Sequence, residues 1–138
     1  TNPDGAQSRD ADVFARRFSS LGVPLENEWR VNIVALDKQG FPAVAINDNG
    51  SFLIAWESDW QDGDRSGVYA QYFTVDGERV GEEIALSEVT NGWQEELSVA
   101  FNNAGQALIT WMSFDDTNDD AGRFNDIYAR RIKLLDQE

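Results

Sequence analysis

Residues 13–58 return at 68–113 without a gap, and that register constrains the fold more than any other property of the chain. Val13-Phe14-Ala15-Arg16-Arg17-Phe18 recurs 55 positions later as Val68-Tyr69-Ala70-Gln71-Tyr72-Phe73, and a further 59 positions on as Ile127-Tyr128-Ala129-Arg130-Arg131-Ile132. The offset of 55 also relates Gly22 to Gly77, Gln39 to Gln94, Gly50 to Gly105, Leu53-Ile54 to Leu108-Ile109 and Trp56 to Trp111. A period of this size in a strand-rich chain marks stacked supersecondary units, each too small to cover its own apolar surface. The chain therefore reads as a single all-β domain of two repeats, about 13–67 and 68–126, with a partial third over 127–138.

Within each copy, turn chemistry separates four strands, placed in copy one near 13–18, 29–34, 42–46 and 51–57. Thr74-Val75-Asp76-Gly77, and its counterpart ending at Gly22, predict a hairpin turn whose glycine takes positive φ. Asn47-Asp48-Asn49-Gly50 and Asn102-Asn103-Ala104-Gly105 predict a second tight turn. The strands that follow, Phe52 to Trp56 and Ala107 to Trp111, are nearly continuously apolar, as in a strand covered on both faces. Trp56 and Trp111 are accordingly placed in the core.

Four short strands per unit, covered on both sides, give two tandem four-stranded antiparallel units plus one extra strand, with blade-like sheets of the β-propeller kind; a two-sheet β-sandwich is the alternative. Two blades cannot close a ring. The chain is thus expected to be cut from a longer array, to complete a ring as a homo-oligomer, or to fold as the sandwich. Thr1 in first place reads as a processed terminus or an excised piece. The strand over 127–132 is expected to pair beside the last strand of copy two or with a neighbouring molecule.

Composition narrows the function classes. With 11 Lys and Arg against 25 Asp and Glu, the formal charge of −14 opposes nucleic-acid and anionic-membrane binding. The absence of Cys removes disulfides and thiolate zinc sites, and the absence of His removes His-based nucleophile relays. No apolar run reaches the ~20 residues that span a bilayer as a helix.

The strand Val68-Tyr69-Ala70-Gln71-Tyr72-Phe73, the Asp76-Gly77 turn and the later Leu108-Ile109-Thr110-Trp111 strand together resemble a tandem repeat of very large bacterial surface and secreted proteins. Those repeats read as a strand ending Tyr-Ala-Gln-Arg-Phe, an Asp-x-x-Gly turn and a Gly-Phe-x-Val-x-Trp strand. The likeness runs from about Asp12 onward, with departures at Ala107, which stands where copy one has Phe52, and at Leu97, which stands where copy one has Pro42. It implies an extracellular or cell-surface location and a role in adhesion or cell-envelope assembly, with a surface protein or glycan as partner, and it brings no catalytic motif.

Candidate sites lie in the loops that join the copies. Asp59, Asp62 and Asp64 in the first, and Asp115, Asp116 and Asp119 in the second, supply the oxygen ligands that calcium takes. Neither loop has the Asp-x-[Asp/Asn]-x-[Asp/Asn]-Gly spacing of a calcium loop, so solvated turns are the competing reading and no other cofactor is expected. Trp60 and Trp93, near Asp62 and Gln94, have the aromatic face and polar flank that grip a sugar ring, or else they close over the end of the core. The sequence thus points first to a non-enzymatic extracellular repeat module for adhesion or assembly, then to a carbohydrate-binding domain, and last to a carboxylate glycosidase.

Overall fold

The computed structural model describes residues 11–34, 38–59, 66–87, 93–114 and 125–134. Among these residues there is no helix, and the strands form three antiparallel sheets. Sheet 1 pairs β1 (Phe14–Ala15) with β2 (Trp29–Arg30). Sheet 2 runs in chain order through β3 (Gln39–Ile46), β4 (Phe52–Asp59), β5 (Ser66–Phe73) and β6 (Arg79–Ala85). Sheet 3 holds β7 (Trp93–Phe101), β8 (Gln106–Phe114) and β9 (Asn125–Lys133).

The repeat survives in the pairing down to single residues. Phe14 faces Arg30 as Tyr69 faces Ala85, and Val44 faces Ile54 as Val99 faces Ile109. Trp56 faces Tyr69 as Trp111 faces Tyr128, so β9 does lie beside the last strand of copy two. The sheets, however, are cut elsewhere than the sequence divides. The four-stranded sheet straddles the repeat boundary, with β3 and β4 from copy one and β5 and β6 from copy two.

A buried polar group ends the first ladder. Asn32, 1% exposed, accepts the Val13 N–H at 2.8 Å and donates to Asp12 and the Val34 carbonyl, which turns the chain out of sheet 1. Ser87 takes the same place in copy two, accepting the Val68 N–H at 3.1 Å. The chain therefore starts a new layer after β2 and again after β6.

Side-chain alternation then stacks the layers, because successive residues of a strand point to opposite faces. Phe52, Ile54, Trp56, Tyr69 and Phe73 pack against Val13, Val31 and Trp29 of copy one. Leu53, Ala55, Val68 and Ala70 point the other way, where Ala107, Ile109 and Trp111 of sheet 3 cover them. Every residue from Phe52 to Ser58 is consequently buried, as its apolar run predicts. Sheet 2 is the middle of three layers, and the two contacts it makes use equivalent residues: Val13, Ala15, Trp29 and Val31 present to sheet 2 the surface that Val68, Ala70, Ile84 and Leu86 present to sheet 3.

Both expected turns form. Gly22 and Gly77 take φ of 77° and 82°, each donating its N–H three residues back at 2.9 Å. Gly50, at φ 89°, has a second constraint, since a Cβ there would meet Val75 at 2.6 Å. Trp56 and Trp111 are both core, at 0% and 5% exposed, and both face the preceding layer. Trp56 donates from Nε1 to Gln39 at 3.1 Å, and Gln94, the counterpart of Gln39, donates to Ser113 at 2.9 Å.

Candidate functional site

Two features of the stack stand apart from packing. The first is a cleft of about 560 Å³ between sheet 1 and the edge of sheet 2, with walls that are predominantly apolar. Its floor is Phe52 and Ile54; Val44 and Ile46 form one wall, Phe14 to Phe18 the other, and Trp29 closes its end. Val44 and Ile46 are 64% and 66% exposed, an unusual state for two large side chains on the core-facing side of a sheet. Their counterparts in sheet 3, Val99 and Phe101, pack on sheet 2, with Phe101 edge-to-face on Tyr72 at 5.8 Å. The cleft is thus the space that two further strands of sheet 1 would fill. The buried Trp29 Nε1 has no acceptor among the described residues.

One flank of the cleft is held by ionic contacts. Arg17 binds Glu26 through two hydrogen bonds from its guanidinium, at 2.7 and 3.1 Å, and also donates to the Val75 carbonyl. The Arg17 hydrogen bond holds the exposed Glu26 carboxyl below its ordinary pKa. Both partners keep the 16–26 connection folded back on β1, where Leu25 donates to the Arg17 carbonyl at 3.0 Å.

The second feature is an acidic cavity of about 450 Å³ between sheets 2 and 3, lined by Phe41, Pro42, Glu57, Glu95, Glu96 and Leu97. Phe41 and Glu96 are equivalent residues, both at positive φ (48° and 56°), and both sit in the bulges that interrupt β3 and β7. Bulges redirect side chains, and here the second one sets Glu95 and Glu96 at the cavity rim. Glu57, 6% exposed, enters from β4. Burial pushes its pKa up from 4.5 to about 8, and the charge of Glu95 adds to the rise. At neutral pH its carboxyl is therefore mostly protonated beside carboxylates. Such a group can donate a proton or a hydrogen bond, and its Oε1 has no hydrogen-bond partner among the described residues.

Glu57 escapes sequence reasoning because it is one acid among 25. Its signal is positional, since it extends the apolar run Phe52 to Trp56 at the place where the second copy has Met112.

The residues singled out from sequence fall in different situations. Trp60, Asp62, Asp64, Asp115, Asp116 and Asp119 lie outside the described residues. Trp93 opens β7, its backbone paired with Phe114, and its side chain is likewise outside the description. Gln94 is 1% exposed and bonded to Ser113 between β7 and β8. Asp59 ends β4, half-buried, and its N–H donates to the Lys38 carbonyl at 2.9 Å. Among the described residues no group of three or more acidic side chains is arranged to hold a metal ion, and there is no helix long and apolar enough to cross a membrane. No protein-family model matches the chain, and no curated protein or solved structure shows significant similarity to it.

Proposed function

We propose that the chain is a non-enzymatic repeat module acting in adhesion or assembly at a bacterial cell surface, its sheets serving as blades of the β-propeller kind. The observation that supports this reading is the repeated inter-sheet contact. One apolar surface design, Val13-Ala15-Val31 and Val68-Ala70-Leu86, is used twice within the chain, and apolar side chains whose counterparts Tyr69 and Leu53 are buried in such contacts stay exposed at both ends of the stack, Phe14 at one and Leu108 at the other. Surfaces built to be covered by another unit suit a module that works through further protein. The charge of −14 suits exposure to an aqueous surface environment.

The test is retention on bacterial cells. A fluorescent form of the chain is expected to remain on envelope surfaces after washing, and Phe14→Asp with Leu108→Asp to reduce that retention without changing the far-UV spectrum. Turnover of a glycoside panel that disappears in Glu57→Gln would overturn the reading in favour of an enzyme. Glycan-array binding lost in Trp60→Ala would convert it to a lectin.

A further inference from the structure

Three separate sets of exposed apolar residues have one common explanation. Phe14 and Phe18 are 56% and 55% exposed on β1 and just beyond it, Val44 and Ile46 line the cleft, and Leu108 is 46% exposed on the outer face of β8. Each has a counterpart in the repeat that is buried or, for Val99 and Phe101, partly buried. Phe14 and Phe18 correspond to Tyr69 and Phe73, at 8% and 0%, and Leu108 to Leu53, at 0%. Those counterparts are buried because a last strand of one copy pairs with a first strand of the next, as β4 pairs with β5. β1 has no such neighbour: among the described residues its only partner strand is β2. Because Val13 and Arg17 carry the backbone bonds toward β2 and the 16–26 connection, alternation turns the peptide groups of Phe14 and Arg16 to the open side.

The strand that belongs on that open side is of the β4 or β8 type. β8 is already paired, but with β9, and β9 is a third version of β1: Phe14-Ala15-Arg16-Arg17 and Tyr128-Ala129-Arg130-Arg131 differ only in the aromatic. The two strands therefore compete for one position. We propose that β1 of one copy of this chain can replace β9 of a second copy beside β8, so that the β7–β8 hairpin of the second copy fills the cleft of the first. This rests on the assembly reading above and names its partner as the chain itself.

The exchange conserves the ladder, since β1 presents the same backbone register that β9 gives up. Ala15 would face Thr110 and Phe14 would face Trp111, as Ala70 faces Ala55 and Tyr69 faces Trp56. It also covers all three exposed sets at once. Phe14 and Phe18 would take the places of Tyr128, now stacked on Trp111 at 6.2 Å, and Ile132, now packed on sheet 2. Val44 and Ile46 would lie over β7 and β8, where Leu108 points. Exchanging one element between identical protomers is a low-cost route to association, and here the contact is head-to-tail, so it propagates until a ring closes. Each chain would contribute two complete sheets, sheet 2 and one hybrid. A dimer, trimer or tetramer would then hold an even number of blades within the range of about four to eight that propellers use.

The experiment uses chains of residues 1–138, which contain no Cys. Ala15→Cys and Thr110→Cys are mixed under mild oxidation; a non-hydrogen-bonded antiparallel pair brings Cβ atoms within disulfide reach. A mixed disulfide dimer is expected in the mixture, with linkage increased in the background of Tyr128→Pro, which weakens β9. By solution mass, Tyr128→Pro is expected to shift the chain from monomer to a discrete oligomer, and adding Phe14→Pro, which removes an outward N–H of β1, to restore the monomer. Monomer and no cross-link in either background would overturn the exchange while leaving adhesion to be judged by cell retention. An oligomer of Tyr128→Pro that survives Phe14→Pro would overturn it too, by placing the contact elsewhere.

Discussion

β4 and β8 are the same strand of the repeat and have opposite fates. Both carry a nearly continuous apolar run ending in tryptophan, yet from Phe52 to Ser58 every residue of β4 is buried, whereas Leu108 on β8 is 46% exposed and Ile127 of β9, opposite Met112, 83%. The difference lies in the neighbours and not in the strand. Sheet 2 has a layer on each side, while sheet 3 has sheet 2 on one side and nothing among the described residues on the other. Apolar content encodes how many faces a strand is built to bury, and the number of layers present decides how many it does bury.

The sharpest way to break this comparison is a matched truncation. Leu53→Ala is expected to cost about 3 kcal/mol of unfolding free energy by denaturant titration, as core leucines do. Leu108→Ala is expected to cost less than ~1 kcal/mol in the monomer, because little packed surface is lost. Equal losses would mean that the outer face of sheet 3 is covered and that the asymmetry between the two strands is not real.

Glu57 and its counterpart Met112 extend the contrast to charge. The folded pKa of Glu57, about 8, stands above the ordinary 4.5, so the folded state keeps a proton that the unfolded chain has already released. Its stability contribution is full below about pH 4.5, falls as pH rises, and levels off beyond about pH 8. Thermal unfolding across that window is expected to show a loss on the order of 5 kcal/mol, ~1.4 kcal/mol for each of the roughly 3.5 pH units between the two pKa values. Glu57→Met, which gives copy one the residue of copy two, is expected to flatten this part of the profile. A profile unchanged by the substitution would assign the pH dependence to other carboxylates.

A smaller effect separates two turns of similar backbone. Gly22→Ala and Gly50→Ala both place a side chain at positive φ, which costs about 1 kcal/mol. Only at Gly50 does the new Cβ also meet Val75, at 2.6 Å, whereas nothing lies within 4 Å at Gly22. Gly50→Ala is expected to lower the melting temperature more than Gly22→Ala, by an additional 1 to 2 kcal/mol or so in free energy. Equal shifts would show that Val75 yields and that the turn is not held against it.

Much of this was legible in the residues. The offset of 55 located the turns at Gly22, Gly77 and Gly50 and the buried tryptophans, while of the two placements the sequence left open for β9 the structure shows the one beside β8. It could not locate the sheet boundaries, because a repeat fixes the period and leaves its starting point arbitrary; Asn32 and Ser87 set that point through hydrogen bonds to Val13 and Val68. Nor did it single out Glu57, whose unusual acidity arises from the desolvation that sheet 3 imposes and from the approach of Glu95. The acidic loops and Trp60 that sequence reasoning favoured lie outside the described residues, so the sites the structure does bring together are the cleft and the Glu57 cavity.

The sequence by itself determined an all-β chain of duplicated units with tight turns, because side-chain alternation, turn residues and repeat spacing act over a few positions or recur at a fixed one. Which strands share a sheet, which face of each sheet stays open, and which carboxyl is held neutral were decided only in three dimensions. Those properties depend on what lies across a layer from a residue, and a strand carries the same side chains whether or not that layer is there.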